Sequence, residues 1–159
     1  MTKEQIKEFT LRTSQANHSG LILILTDMDK IYLEDAIKAY DVQDLEQYNK
    51  YMELARKTHN ELMSAMNPND ALGRRVLGIL RYIYKCMVSS QVKREPQDLE
   101  RCMGMMDTLK VAFEHLHSLD EEGPVMKNTH RVYAGLTYGK GVLNESLGST
   151  DYSNRGFTV

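Results

Sequence analysis

Four stretches of the chain, each of about twenty residues, place their apolar residues three and four positions apart. This spacing sets the apolar side chains along one face of an α-helix. The predicted helices cover residues 18–42, 44–66, 70–92 and 96–118. Four helices of similar length joined by short loops predict an all-α fold, an antiparallel up-down four-helix bundle.

The first of these predicted helices is apolar on more than one side. Leu21, Leu25, Met28 and Tyr32 fall on one face, and residues 22–24 cover the sides next to it. The apolar run at residues 21–25 would, taken alone, also fit a buried strand. The helical spacing continues for about five turns without proline, however, which favours a helix.

The predicted helix at residues 70–92 carries two apolar stripes. One stripe comprises Leu72, Val76, Ile79, Ile83 and Cys86, and the other comprises Leu77, Leu80, Tyr84 and Val88. A helix with two apolar faces contacts more than one neighbour or leaves one face for a partner. The spacing is compatible with both.

The two ends of the chain differ from the helical block. Residues 3–12 predict a short additional helix with Ile6 and Phe9 on one side. Residues 120–159 lose the helical period, which predicts an irregular C-terminal tail beside a bundle domain at residues 1–119. As an alternative, four apolar side chains of the tail dock onto the bundle or onto a partner. They are Tyr133, Leu136, Tyr138 and Leu143.

The charge balance and the cysteines limit the classes of partner. The chain has 20 Lys and Arg against 22 Asp and Glu, so a net charge of −2 gives no general attraction to nucleic acid. No apolar run approaches the roughly 20 residues that span a bilayer, so membrane insertion is not expected. Cys86 and Cys102 lie in apolar helical stretches, which fits free thiols in a reducing compartment. We therefore expect a cytoplasmic protein.

The sequence shows no catalytic or metal-binding constellation. Glu114 and His117 form one Glu-x-x-His pair, whereas di-iron bundles need two such pairs and two further glutamates. Nucleophile-elbow and phosphate-loop motifs are also absent. We expect no enzymatic activity, no metal and no cofactor. His59 lies on an apolar helix face and is predicted to be partly buried, with one ring nitrogen hydrogen-bonded to a neighbour.

Methionine is abundant, with ten residues, and tryptophan is absent. Unbranched thioethers re-pack easily around different partners, although most of these methionines also fit as ordinary core residues. Met103, Met105 and Met106 cannot all face one helix seam, so at least one is expected to face solvent or a partner. This composition favours a module that holds a client helix in a groove.

Two stretches resemble the FliS family of flagellar export chaperones. They are Ser-Gln-Ala-Asn-His-Ser-Gly-Leu-Ile-Leu-Ile-Leu-Thr-Asp at residues 14–27 and Val-Leu-Gly-Ile-Leu-Arg-Tyr-Ile-Tyr at residues 76–84. The family opens its first bundle helix with a Thr-Ala-Ser-Pro type cap and a Met-Leu-Tyr-Asp-Gly type run. Ala16 keeps one residue of the cap, and Leu25 and Asp27 match the run.

The resemblance extends over about residues 5–119, with departures at particular positions. Thr26 and Met28 stand where the family usually has Tyr and Gly. Phe9 stands in for the family's N-terminal Tyr. The chain beyond Leu119 exceeds the usual family length.

The resemblance implies a flagellin-specific chaperone. Such a protein binds the disordered C-terminal segment of flagellin, keeps it from polymerising in the cytoplasm and hands it to the export gate of the flagellar type III apparatus. We predict that the client groove is formed by Leu21, Ile24, Leu25, Met28, Tyr32, Leu77, Leu80 and Tyr84. Phe9 and Leu11 are predicted to fill part of this groove in the free protein. At each position the alternative is an ordinary core residue.

The alternative function is that of a four-helix adaptor or regulatory protein that binds another amphipathic helical client. A cofactor-binding bundle is a more distant alternative. The expected oligomeric state is a monomer or a weak homodimer.

Overall fold

A computed structural model of the chain describes residues 1–126, which form five α-helices and no strand. The helices are α1 (Lys3–Gln15), α2 (His18–Asp41), α3 (Leu45–Ser64), α4 (Ala71–Lys93) and α5 (Leu99–Ser118). Within residues 1–126, no helix combines the length and the apolar character needed to cross a membrane.

The largest differences from the predicted helix bounds lie at α1 and α5. α1 continues to Gln15 instead of ending at residue 12, and α5 begins at Leu99 instead of residue 96. At the start of α1, the side chains of Thr2 and Gln5 each accept a hydrogen bond from the other residue's backbone N–H, which forms a capping box. Before α5, the Leu99 N–H donates to the Pro96 carbonyl at 2.9 Å, so the chain makes a turn before the helix begins.

Helices α2 to α5 form a ring in which each helix packs against two neighbours. α2 packs against α3 and α5, and α4 also packs against α3 and α5. Ser19 contacts His117 and Lys30 contacts Asp107, so α2 and α5 run in opposite directions. Among the described residues, α2 and α4 make no close backbone approach, and α1 packs against α2 alone. α2 and α4 are therefore diagonal in the ring, and α1 lies outside it.

The turn between α3 and α4 depends on a glycine. Asp70 caps α4 by accepting a hydrogen bond from the Gly73 N–H at 2.9 Å. A Cβ atom at Gly73 would lie 2.1 Å from the carbonyl oxygen of Asn67. Any larger residue would therefore push the turn away from the helix that it caps.

Several methionines fill the main core. Met52 and Met87 have no exposed area, Met106 is 1% exposed, and all three pack with Leu33 and Leu80. The other two methionines of the α5 cluster are partly buried at the edge of this core. Core packing therefore accounts for several of the methionines, in line with the alternative that they are ordinary core residues.

A buried histidine connects three helices of the ring. His59 in α3 is fully buried, its Nδ1 lies 2.6 Å from Asp29 Oδ2 in α2, and its Nε2 lies 2.8 Å from the Leu80 carbonyl oxygen in α4. Burial raises the pKa of the Asp29 carboxyl, and the hydrogen bond from His59 opposes this rise. Both ring nitrogens have partners, whereas the sequence predicted one. Within the described residues, Asp29 Oδ1 accepts no hydrogen bond, so the carboxyl depends on His59.

We expect Asp29→Ala to lower the free energy of unfolding by about 3 kcal/mol, because it leaves a fully buried imidazole nitrogen without its partner. The measurement is urea denaturation followed by circular dichroism. Asp107→Ala is the matched control, since it removes an exposed carboxylate paired with Lys30 and should cost no more than about 1 kcal/mol. Equal losses in the two variants would show that the buried contact adds nothing special to stability.

Candidate partner-binding surface

The outer face of α2 is covered by α1. Phe9 from α1 and Ile24 from α2 are buried together, with 6% and 4% of their areas exposed, and Ala16 completes the centre of this cluster. The partly buried side chains around it are Met1, Leu21, Met28 and Ile31. Three of the predicted groove residues, Leu21, Ile24 and Met28, therefore lie beneath or beside α1. Phe9 lies in the same apolar cluster as these residues, and their role in a client groove stays a prediction.

Few interactions hold α1 in place. Phe9 and Ser14 are the buried residues of this helix. The Arg12 guanidinium donates to Asp27 at 2.9 Å, and the N-terminal ammonium group contacts Asp35. Burying one phenylalanine contributes about 2 kcal/mol and a partly exposed ion pair no more than about 1 kcal/mol. The contact between α1 and α2 is thus weak compared with the packing of the ring.

The α1 helix would not persist once detached. It has 13 residues, and isolated helices of that length are marginal in water. Its other large apolar residues include Ile6, which is 51% exposed, and Leu11, which is 37% exposed. Leu11 belongs to neither apolar cluster, so its predicted role as part of the self-cap is not supported by its position.

An apolar pocket of about 450 Å³ remains between α1 and α2. Ile6 and Phe9 line it from α1, Met28 and Tyr32 from α2, and Met126 from the C-terminal segment. Burial and the nearby Asp35 carboxylate raise the pKa of the Tyr32 phenol above its ordinary value. The pocket shows that α1 does not fill the surface it covers.

The predicted groove residues of α4 do not join this surface. Leu77 and Leu80 are 7% and 0% exposed and belong to the main core, and α4 is diagonal to α2. The prediction of one groove shared by these two helices was wrong in this respect. The reason is that periodicity identifies an apolar stripe but does not distinguish the face turned into the bundle from the face turned outward.

Leu25 and Tyr84 have other surroundings. Leu25 packs against the main core instead of the cluster under α1. Tyr84 is half-buried between α3 and α4, where its hydroxyl accepts a hydrogen bond from Arg56 at 3.0 Å and its ring stacks on His59. Hydrogen bonds from Arg56 and Asn60 lower the pKa of Tyr84. Tyr84 connects α3 and α4, and α1 packs against neither of these helices.

The segment after α5 returns to the junction between α1 and α2. The Val125 N–H donates to the Ala16 carbonyl at 3.0 Å, and the Asn17 amide donates to the Glu122 carbonyl at 3.2 Å. At the same junction, a Cβ on Gly20 would lie 2.9 Å from Asn17 Oδ1, so a larger residue would disturb the cap of α2. The sequence did not indicate this return. The tail residues predicted to dock, Tyr133, Leu136, Tyr138 and Leu143, lie outside the described residues.

We expect Phe9→Ala to release α1 from α2, because it removes the largest buried side chain of the contact. In hydrogen exchange followed by mass spectrometry, the amides of α1 should lose protection while those of α2 to α5 keep it. Leu11→Ala shortens an exposed side chain of the same helix and should leave the exchange pattern unchanged. Loss of protection throughout the protein in Phe9→Ala would mean that α1 is an integral part of the fold.

Comparison with known proteins identifies the family. The model of the family described as flagellar protein FliS matches residues 2–120, a region that contains all five helices described above. No curated protein matches the chain. Within residues 1–126, no group of three or more His, Cys, Asp or Glu side chains could hold a metal ion. The chain belongs to the FliS family, whose members are chaperones of flagellar assembly.

Proposed function

We propose that this protein is a flagellin-specific export chaperone and that its client binds to the face of α2 that α1 covers. The client is the C-terminal segment of newly made flagellin. The observation that carries this proposal is an apolar face of α2, centred on Ile24 and Met28, that is covered by one short helix and, at its edge, by the segment after α5. Family membership supports flagellin as the client.

The proposed binding step is an exchange of helices. α1 leaves α2, and a disordered client segment folds into an amphipathic helix in its place. The ring formed by α2 to α5 keeps its main core, so the client finds a rigid apolar face. We further propose that this ring is an up-down four-helix bundle, and that client binding keeps flagellin from polymerising until it reaches the type III export apparatus.

The strength of the α1 contact sets the affinity for the client. If docking of α1 on α2 is favourable by about 2 kcal/mol, only a small fraction of the molecules have α1 undocked. The apparent affinity for the client is then about thirtyfold lower than that of the uncovered α2 face. A client helix longer than α1 overcomes this difference by burying more apolar area. Peptides with little apolar surface cannot displace α1, so α1 also discriminates between clients.

Titration calorimetry tests the proposal with the full chain and a synthetic peptide of about the last 40 residues of flagellin from the same organism. We expect saturable 1:1 binding with a negative change in heat capacity, because apolar surface is buried as the peptide folds. Phe9→Ala should bind more tightly than the unchanged protein, since the competing helix is released.

Two lysine substitutions show where the peptide binds. Met28→Lys places a charge on the covered face of α2 and should weaken binding at least about tenfold. Val111→Lys is the control, since Val111 on α5 is already 67% exposed. Circular dichroism of both variants should show unchanged helical content, which excludes unfolding as the cause of weaker binding. Absence of peptide binding in the unchanged protein and in Phe9→Ala would reject flagellin as the client and favour an adaptor for another helical partner.

A further inference from the structure

A second surface, on the opposite side of the ring from α1, has a distinct charge. α4 contains five basic residues and no Asp or Glu, although the whole chain has a net charge of −2. The basic residues are Arg74, Arg75, Arg81, Lys85 and Lys93. Positive charge is thus concentrated on one helix of a nearly neutral protein.

The cations of α4 differ from those on α2 and α5 in their partners. Lys30 and Lys110 each contact a carboxylate on a facing helix, at 2.7 Å and 2.6 Å. Within the described residues, Arg75, Arg81 and Lys85 are exposed and have no carboxylate within ion-pair distance. These side chains remain available to carboxylates of another molecule.

Apolar side chains lie beside these cations. Leu72, Ile79 and Tyr82 are 52%, 37% and 43% exposed, and their spacing of seven and three residues puts them on one side of α4. Arg101 of α5 donates to the Tyr82 hydroxyl at 2.7 Å, so this side faces the seam between α4 and α5. Met105, one turn after Arg101, is partly buried on the same side of α5. The seam is an apolar strip bordered by basic residues on its α4 side, and at its Tyr82 end Arg101 also pairs with Asp98 at 3.1 Å.

The dimensions of the strip fit a helix. Leu72 and Tyr82 are ten residues apart, which corresponds to about 15 Å along α4, or roughly three helical turns. The apolar side chains are half covered and lie at the seam, whereas the outward face of α4 presents Arg81, Lys85 and Gly78. A Cβ on Gly78 would meet no atom within 4 Å. An anionic membrane would instead require large apolar side chains at the centre of that outward face.

We propose that the seam between α4 and α5 binds an acidic amphipathic helix of a second protein partner. The apolar stripe of this helix packs on Leu72, Ile79 and Tyr82, and its carboxylates pair with Arg75, Arg81 and Lys85. The charge complementarity fixes the orientation and the choice of partner, and the apolar strip supplies the buried area. This site is separate from the α2 face assigned to flagellin and does not depend on that assignment.

Fluorescence anisotropy with designed peptides tests the proposal on the full chain. The acidic probe is a labelled peptide of about three heptads with leucine at positions a and d and glutamate at e and g, and the control peptide has lysine in place of glutamate. We expect the acidic peptide to bind, with an affinity that falls as salt is raised, and the lysine peptide not to bind. Equal binding of the two peptides would overturn the proposal.

Charge reversal locates the site. The double variant Arg81→Glu with Lys85→Glu should bind the acidic peptide at least about tenfold more weakly. Lys50→Glu with Lys57→Glu is the matched control, because it changes the net charge equally at two exposed positions of α3. An equal loss in both double variants would show that only overall charge matters, which would overturn the assignment to α4.

Two further measurements separate this surface from other possibilities. Vesicles of phosphatidylglycerol are offered to the protein, and binding to vesicles without binding to the acidic peptide would replace the helix with a membrane surface and overturn the proposal. The α4 double variant is also titrated with the flagellin peptide. We expect the double variant to bind the flagellin peptide as the unchanged protein does. A loss of flagellin binding in this variant would make α4 part of the client site and overturn the assignment of a separate partner.

Discussion

The hydrogen bonds of His59 fix the rotation of α2, and the position of the candidate client surface depends on that rotation. Asp29 must point into the ring to reach Nδ1 of the imidazole, while the Leu80 carbonyl oxygen holds the other nitrogen. Successive residues of a helix differ by about 100° in direction, so Met28 is turned toward the side of α2. Ile24 lies one turn earlier on that same side, where α1 packs. A polar contact inside the core thus determines which apolar residues remain for a partner.

The helices differ in how deeply they are buried, with α2 to α5 sharing one core and α1 packed against α2 alone. The ring contains the main core, in which residues from α2 to α5 have little or no exposed area. α1 adds one buried aromatic side chain and an ion pair to a single neighbouring helix. Local opening requires a segment with few buried contacts, and α1 meets that condition. Under the proposed function, a cover that docked as strongly as a core helix would exclude the client, and the absence of a cover would leave an aggregation-prone apolar face in solution.

Periodicity and breaker residues were sufficient to place the four ring helices, but they could not orient them. The two stripes of α4 are visible in the sequence, yet their equal spacing does not show which stripe faces the core, and Leu77 and Leu80 were predicted to line the groove. Their place in the core follows from the diagonal arrangement of α2 and α4, which is a property of the assembled ring. The partner of His59 was missed for a similar reason, since Asp29 is 30 residues away in the chain. The self-cap prediction named Phe9 and Leu11 together, but Phe9 is buried, whereas Leu11, two residues later, is exposed.

The two proposed surfaces use different physical means to select a partner. The α2 face is apolar and covered, so it selects by the apolar area that a client can bury in exchange for α1. The seam between α4 and α5 is open and basic, so it selects by charge and should respond to salt. Because α2 and α4 are diagonal, helices bound at the two surfaces would not collide at the ring. One polar path that joins these two helices through the core runs from Asp29 through His59 to the Leu80 carbonyl, and the apolar core around it also contains residues of both helices. A shift of either helix on binding a partner would therefore act on the other helix through this histidine and through the core around it.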